Sequence, residues 1–349
     1  MRKLFILACL LCCAFVLPAQ ETEIQQLIEE GIGLHDKGDF DGAIQKYDAA
    51  LALDKTHYLA QYEKTLSLLY AKRYDECVTI CKALLKLDPK NPNTKSVYVN
   101  YGSAVDDKGD SKEAVKIYDK GIKAFPDFYL LYYNKGLTLN KMKKPEEALE
   151  AMQKGLQYRP LHASPHNAMA IIIERENKWA ALLSTLTFLA IEPQGDRAKI
   201  NVTRMERILN SNVKQQDEKN ITISLSSDLL STNKKKKDND FGSMEMFMGL
   251  TSALDYDSAH KNETKPERLK RKMESMLNVL RLGKEDGKGF FWKFYAPFFD
   301  EMEKKAYLDT YSHLAYASLE DNAINQWISG NKTAIDEFYQ WLKEYNWSK

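Results

Sequence analysis

The sequence predicts an all-α protein in two parts, an array of helical hairpins followed by a C-terminal helical domain. Three observations predict it. A small residue (Gly31, Thr65, Gly102, Gly136) recurs four times, followed twelve positions later by a second one (Ala43, Cys77, Ala114, Ala148). Twelve residues further on comes a terminator, Lys55, Pro89, Pro126 or Pro160, at intervals of 34, 37 and 34 residues. Beyond residue 243, where that period is absent, apolar side chains again recur at helical spacing.

The spacing has a physical cause. Three positions after the first small residue lies an aliphatic one (Leu34, Leu68, Val105, Leu139). Four after the second lies a larger slot (Tyr47, Cys81, Tyr118, Met152). Residues three and four apart share a helix face, so Ala43, Tyr47, Ala50 and Leu51 form one stripe. The first small residue lets its helix approach the next closely, with the second small residue expected opposite it. Lys37-Gly38-Asp39 and Lys108-Gly109-Asp110 supply turn signals between helices. Pro145-Glu146-Glu147 reads as a helix start, with proline in the first turn and acids at the positive end of the dipole. The closing prolines cannot continue a helix. Period and residue order together resemble the tetratricopeptide repeat, a helix–turn–helix unit.

The units fall at about 24–57, 58–91, 95–128 and 129–161, and a degenerate fifth spans 162–193. In the fifth, Ser164-Pro165 offers a cap and first-turn pair, Ala168 to Ala180 repeats the twelve-residue step, and Pro193 closes it. End units of such arrays are often atypical because one side meets solvent or another domain. The expected solenoid therefore covers 20–193.

Residues 1–19 pose a different problem. Met1-Arg2-Lys3 is basic, Leu4 to Leu17 is almost wholly apolar, and Pro18-Ala19 precedes a polar run. That layout predicts a secretory signal peptide cut after Ala19, and the apolar run is short for a membrane span. No later stretch is apolar for long enough to span a bilayer, so a soluble protein in the periplasm or outside the cell is expected. Cys9, Cys12 and Cys13 would leave with the signal; Cys77 and Cys81 would stay, reading as small core residues in preference to a disulfide or metal pair. The 50 Lys+Arg against 49 Asp+Glu give a net charge of +1, which argues against a nucleic-acid partner. The Lys234–Lys237 run reads as a solvated loop.

Residues 194–243 read as a polar linker, with Ile221, Ile223 and Leu225 alternating as a short strand would. A helical domain is expected over 244–349. Met246, Phe247, Leu250 and Leu254 share one broad face, and Thr264-Lys265-Pro266-Glu267 forms a capping box for a helix carrying Leu269, Met273, Met276, Leu277 and Leu280. The aromatic run Phe290–Phe299 reads first as core, and second as a ligand pocket or lipid-contact patch.

Catalytic patterns are missing. No phosphate-cradling loop, nucleophile elbow or Cys-x-x-Cys pair occurs, and His162 and His166 lack the glutamate of a zinc-protease helix. No cofactor, metal site or enzyme activity is therefore expected. The repeat resemblance implies a scaffold or assembly factor that binds a protein or peptide in a groove lined by the first helix of each unit. That groove would carry Ile28, Ile32 and His35, then Leu59, Tyr62, Leu66 and Leu69. Val99, Ser103 and Asp106 follow, then Leu130, Tyr133, Leu137 and Asn140. The lysines of a carboxylate clamp are lacking there. The alternative function is an enzyme, or a lipid- or carbohydrate-binding module, in the C-terminal domain with the repeats as recruiting arm.

Overall fold

The structure, a computed structural model, describes residues 20–216, 220–225, 238–283 and 287–347. The expected signal segment 1–19, with its cut after Ala19, lies outside the described residues, as does Lys234–Lys237. The chain divides into two compact units, 1–151 and 152–349. This boundary lies well before Pro193.

The first unit contains α1 (20–36), α2 (Phe40–Leu53), α3 (Tyr58–Tyr70), α4 (Tyr74–Leu87), α5 (Thr94–Asp107), α6 (Ser111–Ala124) and α7 (Tyr129–Lys141); α8 (Pro145–Tyr158) spans the division. From α2 through α6 each helix packs on its successor, and α5 also packs on α3 and α7. One turn recurs between the hairpin helices. Gly38, Lys72, Gly109 and Lys143 all take positive φ, at 83°, 60°, 100° and 62°. The amide after each donates to the carbonyl of the aliphatic slot: Asp39 to Leu34 (3.0 Å), Arg73 to Leu68 (2.8 Å), Asp110 to Val105 (3.1 Å), Lys144 to Leu139 (3.0 Å). The sequence marks two of these turns with glycine, the residue that takes this conformation freely. The other two hold lysine in the same strained geometry. Asp39 and Asp110 then cap the following helices, accepting from the Gly42 and Glu113 amides.

The small first slot works differently from expectation. A Cβ on Gly31 would stand 2.5 Å from Tyr47 Cε1, and one on Gly102 would meet Tyr118 at least as closely. The glycine makes room for the aromatic ring of the large slot, and not for Ala43 or Ala114. In the second repeat Thr65 fills that room and the large slot shrinks to Cys81, so the pair's volume is shared differently. Both are fully buried, and the Cys81 thiol bonds to the Thr65 hydroxyl. Cys77 and Cys81 are free thiols with Sγ atoms 3.9 Å apart, in a core with Ile44, Leu68 and Leu84. Burial pushes the Cys81 thiol well above its ordinary pKa.

The second unit opens with α9 (Ala163–Ile173) and α10 (Lys178–Ile191), the expected fifth hairpin. α10 is buried from Trp179 to Ala190 because α9 and α11 cover part of it and α14 and α15 the rest. Its buried hydroxyls are satisfied within the helix: Thr185 donates to Ala181 O (2.8 Å) and Thr187 to Leu183 O (2.9 Å). The remaining helices are α11 (Asp196–Leu209), α12 (Gly242–Ala253), α13 (Lys265–Leu282), α14 (Phe290–Lys304), α15 (Leu308–Leu314), α16 (Asn322–Gly330) and α17 (Lys332–Glu344). A two-stranded antiparallel hairpin, β1 (Val213–Gln215) and β2 (Ile221–Ile223), separates α11 from α12. β2 falls where the sequence alternates; β1 was not expected.

The linker assigned to 194–243 is corrected by α11. Ala198, Val202, Met205, Ile208 and Leu209 are buried on one stripe, while Arg, Lys, Asp and Glu on the other faces lower the segment's mean hydropathy. The repeat period also persists here in contacts. Arg197 bonds Ser164 (3.2 Å) across 33 residues, Asn201 bonds Asn167 (3.0 Å) across 34, and Lys178 bonds Ser211 (3.2 Å) across 33. α11 thus stands to α9 as the first helix of a sixth unit.

The aromatic run is core. Phe291, Trp292, Phe294, Tyr295, Phe298 and Phe299 are buried, which removes them as a lipid surface. Tyr295 reaches His166 on α9, OH to Nδ1 2.8 Å, and the other ring nitrogen, Nε2, lies 2.7 Å from Pro160 O. A carbonyl only accepts, so Nε2 carries the proton and Nδ1 accepts from the tyrosine hydroxyl. Both nitrogens are engaged, leaving His166 no lone pair for a metal.

Candidate partner-binding face

The first helices of the repeats, α1, α3, α5 and α7, are tied side by side through polar groups. His35 Nδ1 lies 2.8 Å from Ser67 Oγ, Asn100 Nδ2 donates to Thr65 Oγ1 (3.0 Å), and Thr138 Oγ1 donates to Asp106 Oδ2 (3.2 Å). Consecutive helices also share ion pairs, Lys46–Glu30 (2.6 Å), Lys64–Asp48 (2.5 Å) and Lys135–Asp119 (2.6 Å). Surface pairs of this kind contribute about 0–1 kcal/mol each. Their regular placement fixes the register of one helix on the next.

The structure separates the expected groove residues into three groups. Ile28 is core, fully buried with Ile24, Ala43, Tyr47, Ala50 and Ala60, and its assignment to the groove is corrected. Ile32 and Leu59 are half-buried against that cluster, Tyr62 and Leu69 against the cluster around Leu68 and Cys81, and Val99 against the one around Tyr118 and Leu131. His35 is held by Ser67 and by edge contacts with Phe40 and Tyr70, both at 5.2 Å. Asp106 spends its carboxylate on Ser111, Thr138 and Lys141. Leu66, Ser103, Leu130 and Tyr133 are half-buried. The most open are Leu137, at 40 % exposure, and Asn140. The face is more securely packed than its sequence suggested, because Ile32, Leu59, Tyr62, Leu69 and Val99 also pack against the core clusters.

The sequence reading passed over one feature of this face. Glu63, next to Tyr62, is half-buried and has no hydrogen bond or ion pair among the described residues. Burial raises its carboxyl above the usual range, and the nearby Asp36 carboxylate raises it further. An isolated acid in a helical stretch carries no sequence signal of this kind; only its surroundings reveal it.

A family model described as the tetratricopeptide repeat matches residues 34–98, and a second matches 96–128 and 129–160. Residues 34–160 are tetratricopeptide repeats. These repeats cover the first, more regular part of the array, and neither family model reaches the C-terminal half. No curated protein matches the chain. Among solved structures, PilF of Pseudomonas aeruginosa is 20% identical, over 55% of this chain and 86% of its own, with a TM-score of 0.47. A thermophilic tetratricopeptide-repeat protein of Thermus thermophilus is 17% identical, over 52% and 99%, with a TM-score of 0.46. YrrB, described as a tetratricopeptide-repeat protein with an unusual peptide-binding site, is 19% identical, over 50% and 89%, with a TM-score of 0.36.

Proposed function

We propose that this protein is a non-enzymatic scaffold or assembly factor that binds a protein or peptide segment on the inner-helix face of its tetratricopeptide repeats. One observation carries the reading: these repeats present Ile32, Leu66, Tyr133 and Leu137 as a partly open apolar row, beside the carboxylates of Asp36 and Glu63, which make no hydrogen bond or ion pair among the described residues. Such a row fits an apolar segment with a cationic side chain. The reading also places the protein in the cell envelope, because residues 1–19 have the basic, apolar and small-residue order of an export signal.

A photo-crosslinking side chain at position 137 tests the first part, with one at the exposed Lys120 of α6 as control. An adduct of defined mass in the native host from 137, and none from 120, is the expected result. Equal labelling from both positions, or none from either, refutes the face. For the envelope, mass spectrometry of the native protein should find an N-terminus at Gln20; an intact Met1 sinks that part.

A further inference from the structure

In the second unit, α9, α10 and α11 meet around an open cavity of about 500 Å³, lined by Ile171, Glu174, Arg175, Lys178, Arg207, Ile208 and Ser211. The charge balance is uneven. Lys178 is occupied, its ammonium shared among Ser211, Asn212 and Glu245. Glu174 takes two cations at once, Arg204 Nε at 3.3 Å and Arg207. Four cations therefore stand against two carboxylates.

The excess sits on two guanidinium groups. Arg207 is 60 % exposed and gives one arm to Glu174; its other N–H groups make no hydrogen bond or ion pair among the described residues. Arg175 is exposed and makes no hydrogen bond or ion pair among the described residues. Beside them Ile171 stands 55 % exposed on the α9 surface. A planar guanidinium presents paired donors that match a carboxylate or phosphate, and it gives up its weak hydration readily. A bare aliphatic wall next to such donors favours a ligand that is anionic at one end and apolar beside it.

We propose that this cavity binds a carboxylate carried on an apolar body, gripped by Arg175 and Arg207 and packed against Ile171. The carboxylate has two sources, a small organic acid or the end of a peptide chain. The site is separate from the inner-helix face of the first unit and does not depend on the function proposed for it.

The test is calorimetric titration of the full chain with N-acetyl-leucine and with an octapeptide ending in a leucine carboxylate, each beside its amidated form. Both acids should bind at millimolar concentration or better, and the amides about tenfold more weakly. Preference for the octapeptide identifies a chain terminus as the ligand, and equal affinity identifies the free acid group. Arg175→Gln should remove about tenfold of acid binding and leave the amides unchanged, while Ile171→Ser should weaken acid and amide alike. Both are exposed, so unfolding should be little altered. Equal binding of acid and amide, binding that survives Arg175→Gln, or no heat from any probe overturns the proposal.

Discussion

Lowering pH should weaken the second unit through His166. The side chain is completely buried, and desolvation lowers its pKa from 6.5 to about 4, with the Pro160 carbonyl opposing and His162 adding to the fall. In the unfolded chain the imidazole takes its proton near pH 6.5; in the folded chain it resists until near pH 4. Between those values the unfolded state binds more protons, so stability rises with pH there. The contribution is complete above about pH 6.5 and is lost on the way down to about pH 4. At ~1.4 kcal/mol per tenfold change in proton affinity, the whole loss is about 3 kcal/mol. Protonation would also put a second donor where Nδ1 now accepts from Tyr295, so the tyrosine hydroxyl would have to turn and accept instead. All five tryptophans, Trp179, Trp292, Trp327, Trp341 and Trp347, lie in the second unit, so intrinsic fluorescence during urea unfolding reports this unit alone. The comparison is with His166→Gln, which keeps a donor and an acceptor and does not titrate. Carboxylates titrate equally in both proteins and cancel. The stability advantage of the parent over the variant should shrink by about 3 kcal/mol between about pH 7 and pH 4. An advantage that stays flat over that range would falsify the buried neutral assignment.

Four further outcomes follow from the packing. Gly102→Leu drives a side chain into the Tyr118 ring and should cost the first unit about 1–3 kcal/mol, read by thermal circular dichroism. Lys143→Gly relieves a left-handed lysine that bonds through its backbone in the turn after α7; a gain of about 0.5 kcal/mol in the same assay is expected, and a loss would show that the turn is not strained. Asp255→Ala leaves Lys272 and Arg271, paired to it at 2.7 and 2.6 Å, facing a lost carboxylate; Lys272 is only 4 % exposed. The second unit should lose about 3 kcal/mol by fluorescence. Cys77 and Cys81 should react with a thiol reagent only on the timescale of unfolding, since both are fully buried, and prompt reaction in native buffer would contradict their place in the core.

The repeats were legible because each of their rules is local. A glycine twelve residues before an alanine, and a proline twelve beyond it, reflect contacts inside one hairpin, so a single unit shows them all. What the sequence hid was the partner of each slot. Gly31 and Ala43 share a spacing, yet the glycine touches Tyr47, and only the exchange of Gly–Tyr for Thr–Cys in the second repeat hints at that pairing. Ile28 misled for a related reason. Its position is only half-buried in later repeats, at Tyr62, Val99 and Tyr133, but in α1 it is packed with Ile24 and Ala60 and becomes core.

α11 shows where such a reading stops and why. No small residue pair, turn glycine or closing proline marks it as a repeat helix, because the elements that would follow in a full unit have been replaced by a β-hairpin and then α12. What remains of the unit is one face. Val202 lies 34 residues after Ala168, where the first small slot would fall, and the polar contacts to α9 keep the same interval. A terminal helix needs only the surface that meets the previous unit; its other sides are free to change with whatever covers them. Here α10 is covered on those other sides by α14 and α15, with Tyr311 donating to the Leu186 carbonyl at 2.8 Å. The last hairpin therefore does not end against solvent. Its second helix is buried all round, Trp179 to Ala190, as a helix inside a domain is and one in a solenoid's outer layer is not. That continuous burial shows in the sequence as an apolar run broken only by Ser184, Thr185 and Thr187, whose hydroxyls bond back to carbonyls of the same helix, and it is what joins the fifth repeat to the C-terminal helices as one unit.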